Sequence, residues 1–540
     1  MNKEIISGKE AQELIKNTVI KLCDYVGMTL GPKGYNAIID TDYTEPFITN
    51  DGVTIAKNLE FSPKEEAIAK IIKEASIKTN EKVGDGTTTS LVLLKSMYQE
   101  CLKYIEKGVS PYIIKEKLSI LIEEICNKLI DTSKKPSVKD IENIAVNSCG
   151  NKEFGKLISS LFKKNKFMKK IVIEESNKEE IYIDNIDGYF IENGVISSFM
   201  IKDRLENEII LNPYYLITDY KIEYIDQIKN IIEILNRKSL VIIADSFGEE
   251  VVEYLSSLKT NNEINVIGIE APNYSENKID ILEDISIYTN AKLISSKKGN
   301  ILEEVSIDDL GTSNNIKISR NNSIIKSDMK DSIKNRIKYI KELIINEDDE
   351  FKKDILESRL SYLSSSTSII YVGAKTKSEM ILNKMRIEDA ICACKSVIKY
   401  GYSLGGGKAL YNLSRMLDTN KMENSIMKEV LEAPIKQILV NSGGNVKEIL
   451  LKLDNESINT GYDAYNNKIV DLIETGIIDS TYALIESIRN AFSISSILLT
   501  TSLVIVTNNK KEDKNITEVL WHKKKELKCF INSLFFKVKI

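Results

Sequence analysis

Histidine is almost absent: the 540 residues contain one, His522. Counting therefore excludes a Ser-His-Asp triad, a Cys-His dyad or a histidine-built metal centre in the body of the chain. Acid–base chemistry must fall to Asp, Glu, Lys, Tyr or Cys. Cysteine is sparse, with seven residues, no CxxC and one close pair, Cys392 and Cys394. On a helix those two side chains point about 200° apart. Zinc and dithiol redox chemistry are set aside, and such cysteine usage suits a reducing compartment. Long apolar runs are missing; stretches such as Ile497 to Val506 are too short to span a bilayer. The opening MNKEIISGKE carries neither a signal-type apolar core nor an Arg-rich presequence. A dominant charge is missing too. Lys+Arg is 74 and Asp+Glu is 79, for a net charge of -5. That balance excludes a dedicated nucleic-acid coat and gives no argument for an anionic membrane surface. A soluble, cytoplasmic protein is expected, with no nucleic-acid and no membrane partner.

What is present is ordinary globular material, 42% hydrophobic and 28% charged. The length predicts about three or four domains. Ile15, Val19, Leu22, Cys23 and Val26 mark one stripe of a helix over 9–28, and helices follow at 64–79 and 111–131. Ala37-Ile38-Ile39 and Phe47-Ile48 predict a hairpin. From about 187 to 325 the pattern becomes β-α-β, with strand runs at Tyr215–Ile217, Leu240–Ile243, Val266–Ile269 and Lys292–Ile294. Helical stretches at 222–236, 247–259 and 277–289 separate them. Residues 329–363 read as a long charged helical region, 369–372 as a strand, 376–400 as a helix, and the chain after 407 as helical to about 504. The order is all-α, mixed, α/β, mixed, all-α.

Five short segments could carry chemistry. Thr29-Leu30-Gly31-Pro32-Lys33-Gly34 and Gly84-Asp85-Gly86-Thr87-Thr88-Thr89 each combine glycines with hydroxyls, the second just before a helix. Glycines let backbone amides approach a phosphate, and a helix N-terminus adds its dipole. An aspartate in such a loop repels phosphate unless a cation bridges them, so Asp85 is the natural Mg²⁺ ligand. Neither loop is GxxxxGK[ST], which excludes a P-loop ATPase. The others are Thr49-Asn50-Asp51-Gly52-Val53, Arg386-Ile387-Glu388-Asp389-Ala390 and Gly405-Gly406-Gly407. Taken singly, each also reads as a turn, a cap or a solvated helix position, the commoner use of such residues.

Together, TLGPKG (29–34), TNDGVTIAK (49–57), GDGTTT (84–89), RIEDA (386–390), GGGKAL (405–410), GYDA (461–464) and GIID (476–479) stand in the order and spacing of a chaperonin. The chain resembles the group I (bacterial GroEL-type) chaperonins over about residues 3–507, and EAPNYSENKIDILEDISIYTNAKLIS at 270–295 resembles their apical text. The resemblance implies a multidomain α+β fold. A discontinuous all-α equatorial domain would take 1–131 and 400–507, and a small α/β intermediate domain 132–186 and 368–399. An α/β apical domain would take 187–367, leaving a C-terminal tail at 508–540. It implies phosphate contacts at Thr29, Leu30, Gly31, Pro32, Gly86, Thr87, Thr88 and Thr89. Asp85 would bind Mg²⁺, Asp51 and Asp389 would be the catalytic carboxylates that orient or deprotonate water, and Gly406 and Asp479 would contact ribose and base. ATP, Mg²⁺ and K⁺ are the implied cofactors. The implied partners are non-native client polypeptides, a small GroES-type cochaperonin lid and further copies of the chain in seven-membered rings, single or double.

Client-binding positions map to Val195, Phe199, Met200, Ile232, Val251 and Leu255. Independently, 247–259 carries Val251, Val252, Leu255 and Leu258, and 222–236 carries Ile225, Ile228, Ile232 and Leu235. Two such amphipathic helices could bind non-native apolar segments between them, or simply pack on the sheet. A face shared between core and surface is expected. Several residues depart from the family. Asn50 stands where lysine is usual, Asp463 and Tyr465 replace residues near the adenine, and Lys229 falls at an apolar client position. The usual Gly-Gly-Met tail gives way to a Lys-rich segment with Leu527, Phe530, Ile531 and Leu534 at helical spacing. That tail offers clients a second contact, or is a disordered or inter-subunit segment. The reading is an ATP-dependent folding machine of the bacterial cytoplasm. The alternative, a chaperonin-like binding or scaffold protein with weak or no turnover, is disfavoured by the joint presence of Asp51, Asp85 and Asp389.

Overall fold

The structure, a computed structural model, describes residues 2–41, 44–164, 170–176, 178–186, 188–201, 208–235, 238–272, 278–328, 331–364 and 367–508. The tail at 509–540 lies outside the described residues. Packing divides the chain into two units, one from Met1–Ser159 with Ile381–Ile540 and one from Ser160–Met380. The two halves of the expected intermediate segment are each split between these units.

The first unit is built on Thr87–Ile105. Its consecutive Leu91, Val92, Leu93 and Leu94 are all buried, so this helix is enclosed on every side. Gly8–Gly27, Pro63–Val83, Met422–Asn441 and Thr481–Leu499 pack around it. Thr481–Leu499 is itself almost wholly buried, from Ala483 and Leu484 through Ile488 and Ala491 to Leu498. Pro63–Val83 starts at a reciprocal Ser62/Glu65 capping box with Pro63 in its first turn and ends at Gly84, in the left-handed conformation. The predicted hairpin forms as Ala37–Thr41 against Thr44–Thr49.

The reading of continuous helix from 407 to 504 is corrected. Lys408–Ser414, Met422–Asn441, Val446–Asp454 and Thr481–Leu499 are helical, but Thr460–Asp463 pairs with Lys468–Asp471, and Tyr402–Leu404 with Ile478–Ser480. The chain ends also pair unexpectedly: Asn2–Ser7 runs antiparallel to Leu503–Asn508, with Ile6 opposite Val504 and Ile5 opposite Ile505. Alternation buries Ile6, Val504 and Val506 and exposes Ile5, Leu503 and Ile505.

In the second unit, parallel strands run in the order Val266–Glu270, Leu240–Ala244, Tyr214–Thr218, Leu293–Ile294, with Gly311–Thr312 antiparallel to Tyr214–Thr218. Leu240–Ala244 is buried throughout, as a covered parallel strand requires. Asp226–Leu235, Glu249–Thr260 and Lys278–Thr289 are the helices between strands. A four-stranded antiparallel sheet and the three strands Lys170–Glu175, Thr367–Val372 and Tyr182–Ile186 complete it. The long charged region is two helices, Asp331–Asn346 and Glu350–Leu363. They are tied inward by charge. Asp284, fully buried, accepts from Arg336 Nε at 2.7 Å and from Arg359 Nε at 2.8 Å and Nη2 at 3.1 Å.

Removing one partner of a buried ionic network strands the others. Asp284→Ala is therefore expected to cost about 3–5 kcal/mol, read from denaturant unfolding of the second unit. A loss under about 1 kcal/mol, the worth of an exposed pair, contradicts this reading.

Candidate functional site

The first unit brings together the motifs that lie far apart in the chain. Asp51 ends the hairpin and caps Gly52–Asn58. Its carboxylate accepts from Val53 N at 3.2 Å, Thr54 N at 2.8 Å and Thr54 Oγ1 at 2.5 Å. Gly52 then packs directly on the next loop: a Cβ there would collide with Thr88 Oγ1. Thr87, Thr88 and Thr89 form the first turn of Thr87–Ile105, where the first amides of a 19-residue helix are free, and the hydroxyls of Thr87 and Thr88 lie beside Gly52. Thr29 Oγ1 lies 3.3 Å from Thr88 Oγ1, joining the two Gly/Thr loops. The Thr29–Gly34 turn is pinned by Asn441, whose Nδ2 donates to Gly27 O at 2.9 Å and Leu30 O at 2.8 Å.

The connection Gly84-Asp85-Gly86 is tight. Gly86 adopts φ +78°, and a Cβ on it would lie 2.7 Å from Ser487 Oγ. Its amide donates to Asp85 Oδ1 at 2.6 Å. On the far side, Gly84 packs against Cys392, 2.5 Å from Cys392 Cβ to where a Cβ would stand. This places Lys377–Tyr400, the helix of Asp389, against the loop of Asp85. Thr49 Oγ1 reaches Met385 Sδ at 3.5 Å on the same helix. Asp479 arrives from another direction, on the strand Ile478–Ser480, with Ser403 as its cross-strand neighbour. It accepts from the Gly406 amide, which comes from the Gly405–Gly407 turn.

The result is a cluster of carboxylates within electrostatic reach of one another, with Lys384 acting on Glu388. Burial, and then the charges of Asp51, Asp85 and Glu388, push Asp389 well above the usual carboxylate range. Burial raises Asp85 as well, partly offset by the Gly86 amide. Burial and the charge of Asp85 push Asp479 up to about 7. Among the described residues, no three His, Cys, Asp or Glu side chains are gathered to ligate a metal by themselves.

Asp463, expected near the adenine, spends its carboxylate locally, accepting from Tyr465 N at 3.0 Å, Asn466 N at 3.1 Å and Asn466 Nδ2 at 2.7 Å. Tyr465 is exposed. Sequence reasoning missed Asn441 and Ser487 and gave Cys392 no part in the site. A lone polar residue inside a helix carries no local mark of the loop it will meet.

The client-binding expectation is corrected in part. Met200, Ile232, Val251 and Leu255 are buried in the core of the second unit, Val195 is half-buried and Phe199 is exposed. Val251, Leu255 and Leu258 form the stripe of Glu249–Thr260 that packs with Leu240, Ile242 and Val266. The neighbouring Val252 is half-buried, and Tyr224 and Ile234 are exposed.

Comparison with known proteins adds two findings. Residues 22–509 match the TCP-1/cpn60 chaperonin family. The fold is similar to that of the chaperonin gp146 from bacteriophage EL 2 (Pseudomonas aeruginosa), solved in the presence of ATP-BeFx in two crystal forms. The TM-scores are 0.70 and 0.73 at 22% identity, covering 94% of this chain and 99% of that one.

Two outcomes follow from this geometry. Leu255→Glu puts a charge into the core and is expected to unfold the second unit, whereas Phe199→Glu leaves it folded. Limited proteolysis separates them, and a folded Leu255→Glu protein would return that residue to the surface. The second concerns pH. An acid whose value is raised on folding stabilises the fold while protonated, and that contribution is lost as pH rises toward the raised value. For Asp479 the window runs from the ordinary carboxylate value, near 3.8, to about 7. Without nucleotide or divalent cation, Asp479→Asn is expected to lose less thermal stability than the parent between about pH 5 and pH 8. Equal losses in both proteins would mean that Asp479 is ionised throughout.

Proposed function

Because the chain belongs to the TCP-1/cpn60 chaperonin family, we propose that it is an ATP-driven protein-folding chaperonin whose carboxylate-lined site binds ATP with Mg²⁺ and hydrolyses it. The observation that carries this reading is the convergence of Asp51, Asp85, Asp389 and Asp479 on two Gly/Thr loops. Like charges held this close favour a ligand that brings positive charge with it. Gly52 and Gly86 leave no room for side chains, which lets the Asp51 turn pack against Thr88 and the Asp85 loop against Ser487. Thr29, Leu30, Gly31, Pro32, Thr87, Thr88 and Thr89 are the proposed phosphate contacts, and Gly406 and Asp479 the proposed ribose and base contacts.

Asp85 is the residue placed to hold Mg²⁺, which when bound would withdraw charge from the phosphate oxygens. The two remaining aspartates divide the work on water. Asp51 already accepts three hydrogen bonds from Val53 and Thr54, so its oxygens are fixed in direction. It suits orientation of the attacking water. Burial and nearby carboxylates raise the proton affinity of Asp389, which makes it a better proton acceptor than an ordinary carboxylate. Asp389 is therefore the proposed general base. Its helix begins at Lys377, close to the division between the two units, so movement there would govern when the base is in place.

Self-association is supported by exposed apolar pairs on two small sheets. Ile38 faces Ile48 on the hairpin, and Ile5 faces Ile505 beside Leu503 on the terminal strands. Such surfaces call for a partner, and a ring of identical chains is the assembly proposed. Phe199, Tyr224 and Ile234 are the exposed apolar residues proposed to meet non-native clients. A cochaperonin lid and a location in the bacterial cytosol belong to the same proposal, the latter resting on the sparse, unpatterned cysteines. The alternative, a scaffold without turnover, has the intact carboxylate set against it.

Asp389→Ala is expected to retain binding of a fluorescent ATP analogue while steady-state turnover falls about 10²-fold or more. Unchanged turnover would remove Asp389 from the chemistry. A parent protein that binds ATP without hydrolysing it would favour the scaffold.

A further inference from the structure

One helix touches each moving part of the site. Thr481–Leu499 begins immediately after Asp479, and Ser480 is its N-cap, accepting from Ala483 N at 3.3 Å. The same Ser480 Oγ lies 2.6 Å from Ser396 Oγ. Ser396 stands seven residues beyond Asp389 on Lys377–Tyr400, two turns along the same face. Two turns beyond Ser480, Ser487 Oγ donates to Gly86 O at 3.1 Å, and the Gly86 amide in turn donates to Asp85 Oδ1 at 2.6 Å. All three serines are buried. The flanking contacts anchor the rod to the helix that leads into the loop: Glu486 pairs with Lys82 at 2.7 Å and Asn490 Nδ2 donates to Thr79 Oγ1 at 2.9 Å.

We propose that Thr481–Leu499 sets the spacing of the catalytic carboxylates through two positioning contacts, Ser396–Ser480 for Asp389 and Ser487–Gly86 for Asp85. The inference rests on the nucleotide-hydrolysing reading of the site and deepens it. The two contacts have separable duties. Ser396–Ser480 holds the helix of the general base against the strand of Asp479, so its loss lets the base drift while the nucleotide contacts stay in place. Ser487 holds the carbonyl of Gly86, the residue whose amide orients Asp85, so its loss loosens the residue proposed for the cation and leaves the base alone. Buried hydroxyl pairs of this kind act through geometry, and small misplacements of a reacting group are costly.

The test uses the full chain and three single variants: Ser396→Ala, Ser487→Ala and, as control, Ser495→Ala. Ser495 is a buried hydroxyl of the same helix that donates to Leu94 O at 3.3 Å, away from the loop. Two readouts are taken: kcat and KM for ATP, and binding of a fluorescent ATP analogue as Mg²⁺ is titrated. Ser396→Ala is expected to lower kcat about tenfold with KM and the Mg²⁺ midpoint unchanged. Ser487→Ala is expected to raise the Mg²⁺ midpoint several-fold, with analogue affinity at saturating Mg²⁺ preserved. Ser495→Ala should move neither readout. Variants that resemble the parent, that change all parameters together, or that Ser495→Ala reproduces would overturn the inference. A parent protein that fails to bind the analogue overturns the nucleotide reading itself, and the inference with it. A parent that binds without turnover overturns hydrolysis alone and leaves the Mg²⁺ titration of Ser487→Ala to decide the positioning role.

Discussion

The structure depends on keeping like charges together. Asp51, Asp85, Asp389 and Asp479 belong to four separate stretches of chain, and in water they would move apart. The first unit holds them because each is fixed by something other than its neighbours. Asp51 is a helix cap, Asp85 sits in a turn between two packed helices, Asp389 rides a long helix and Asp479 lies in a strand pair. Burial raises the proton affinity of Asp85, Asp389 and Asp479, and neighbouring carboxylates add to it at Asp389 and Asp479. The core of Leu91, Leu93, Leu94 and Met97 supplies the stability against which the repulsion is held. A site of this kind is strained when empty of cations and relieved when one arrives.

Relief of charge also suggests how chemistry and movement are joined. Asp51 and Asp85 are anchored by hydrogen bonds within their own loops, but Asp389 depends on where its helix lies. Polar contacts of that helix include Thr49 with Met385 and Ser396 with Ser480. If the helix shifts as a rod, its carboxylate enters or leaves the site as a unit.

Much of the site was legible in the sequence because its residues sit in short, unusual strings. TLGPKG, GDGTTT and RIEDA announce loops and a helix whose positions the structure reproduces closely. The rest was hidden for physical reasons. The pairing of Asn2–Ser7 with Leu503–Asn508 joins segments some 500 residues apart, and neither strand alternates strongly enough to declare itself. Val251 and Leu255 were assigned to clients by the resemblance, whereas the spacing of Val251, Leu255 and Leu258 fits equally the core stripe that the structure shows. The division of 329–363 into two helices turned on the short Glu347–Asp349 break, which composition does not distinguish from a charged helix. Ser396, Ser480 and Ser487 were invisible singly, since their meaning lies in the partner across the fold.

The most direct measurement is calorimetric titration of MgATP into the protein near pH 7, repeated in buffers of different ionisation enthalpy to count protons. If the carboxylates are held together to receive a cation, MgATP must displace protons that burial and mutual repulsion retain. Binding should then release protons and strengthen as pH rises from about 6 to about 8. Binding with no proton release and no dependence on pH would contradict the account, because the aspartates would then be ionised and apart before the ligand arrived.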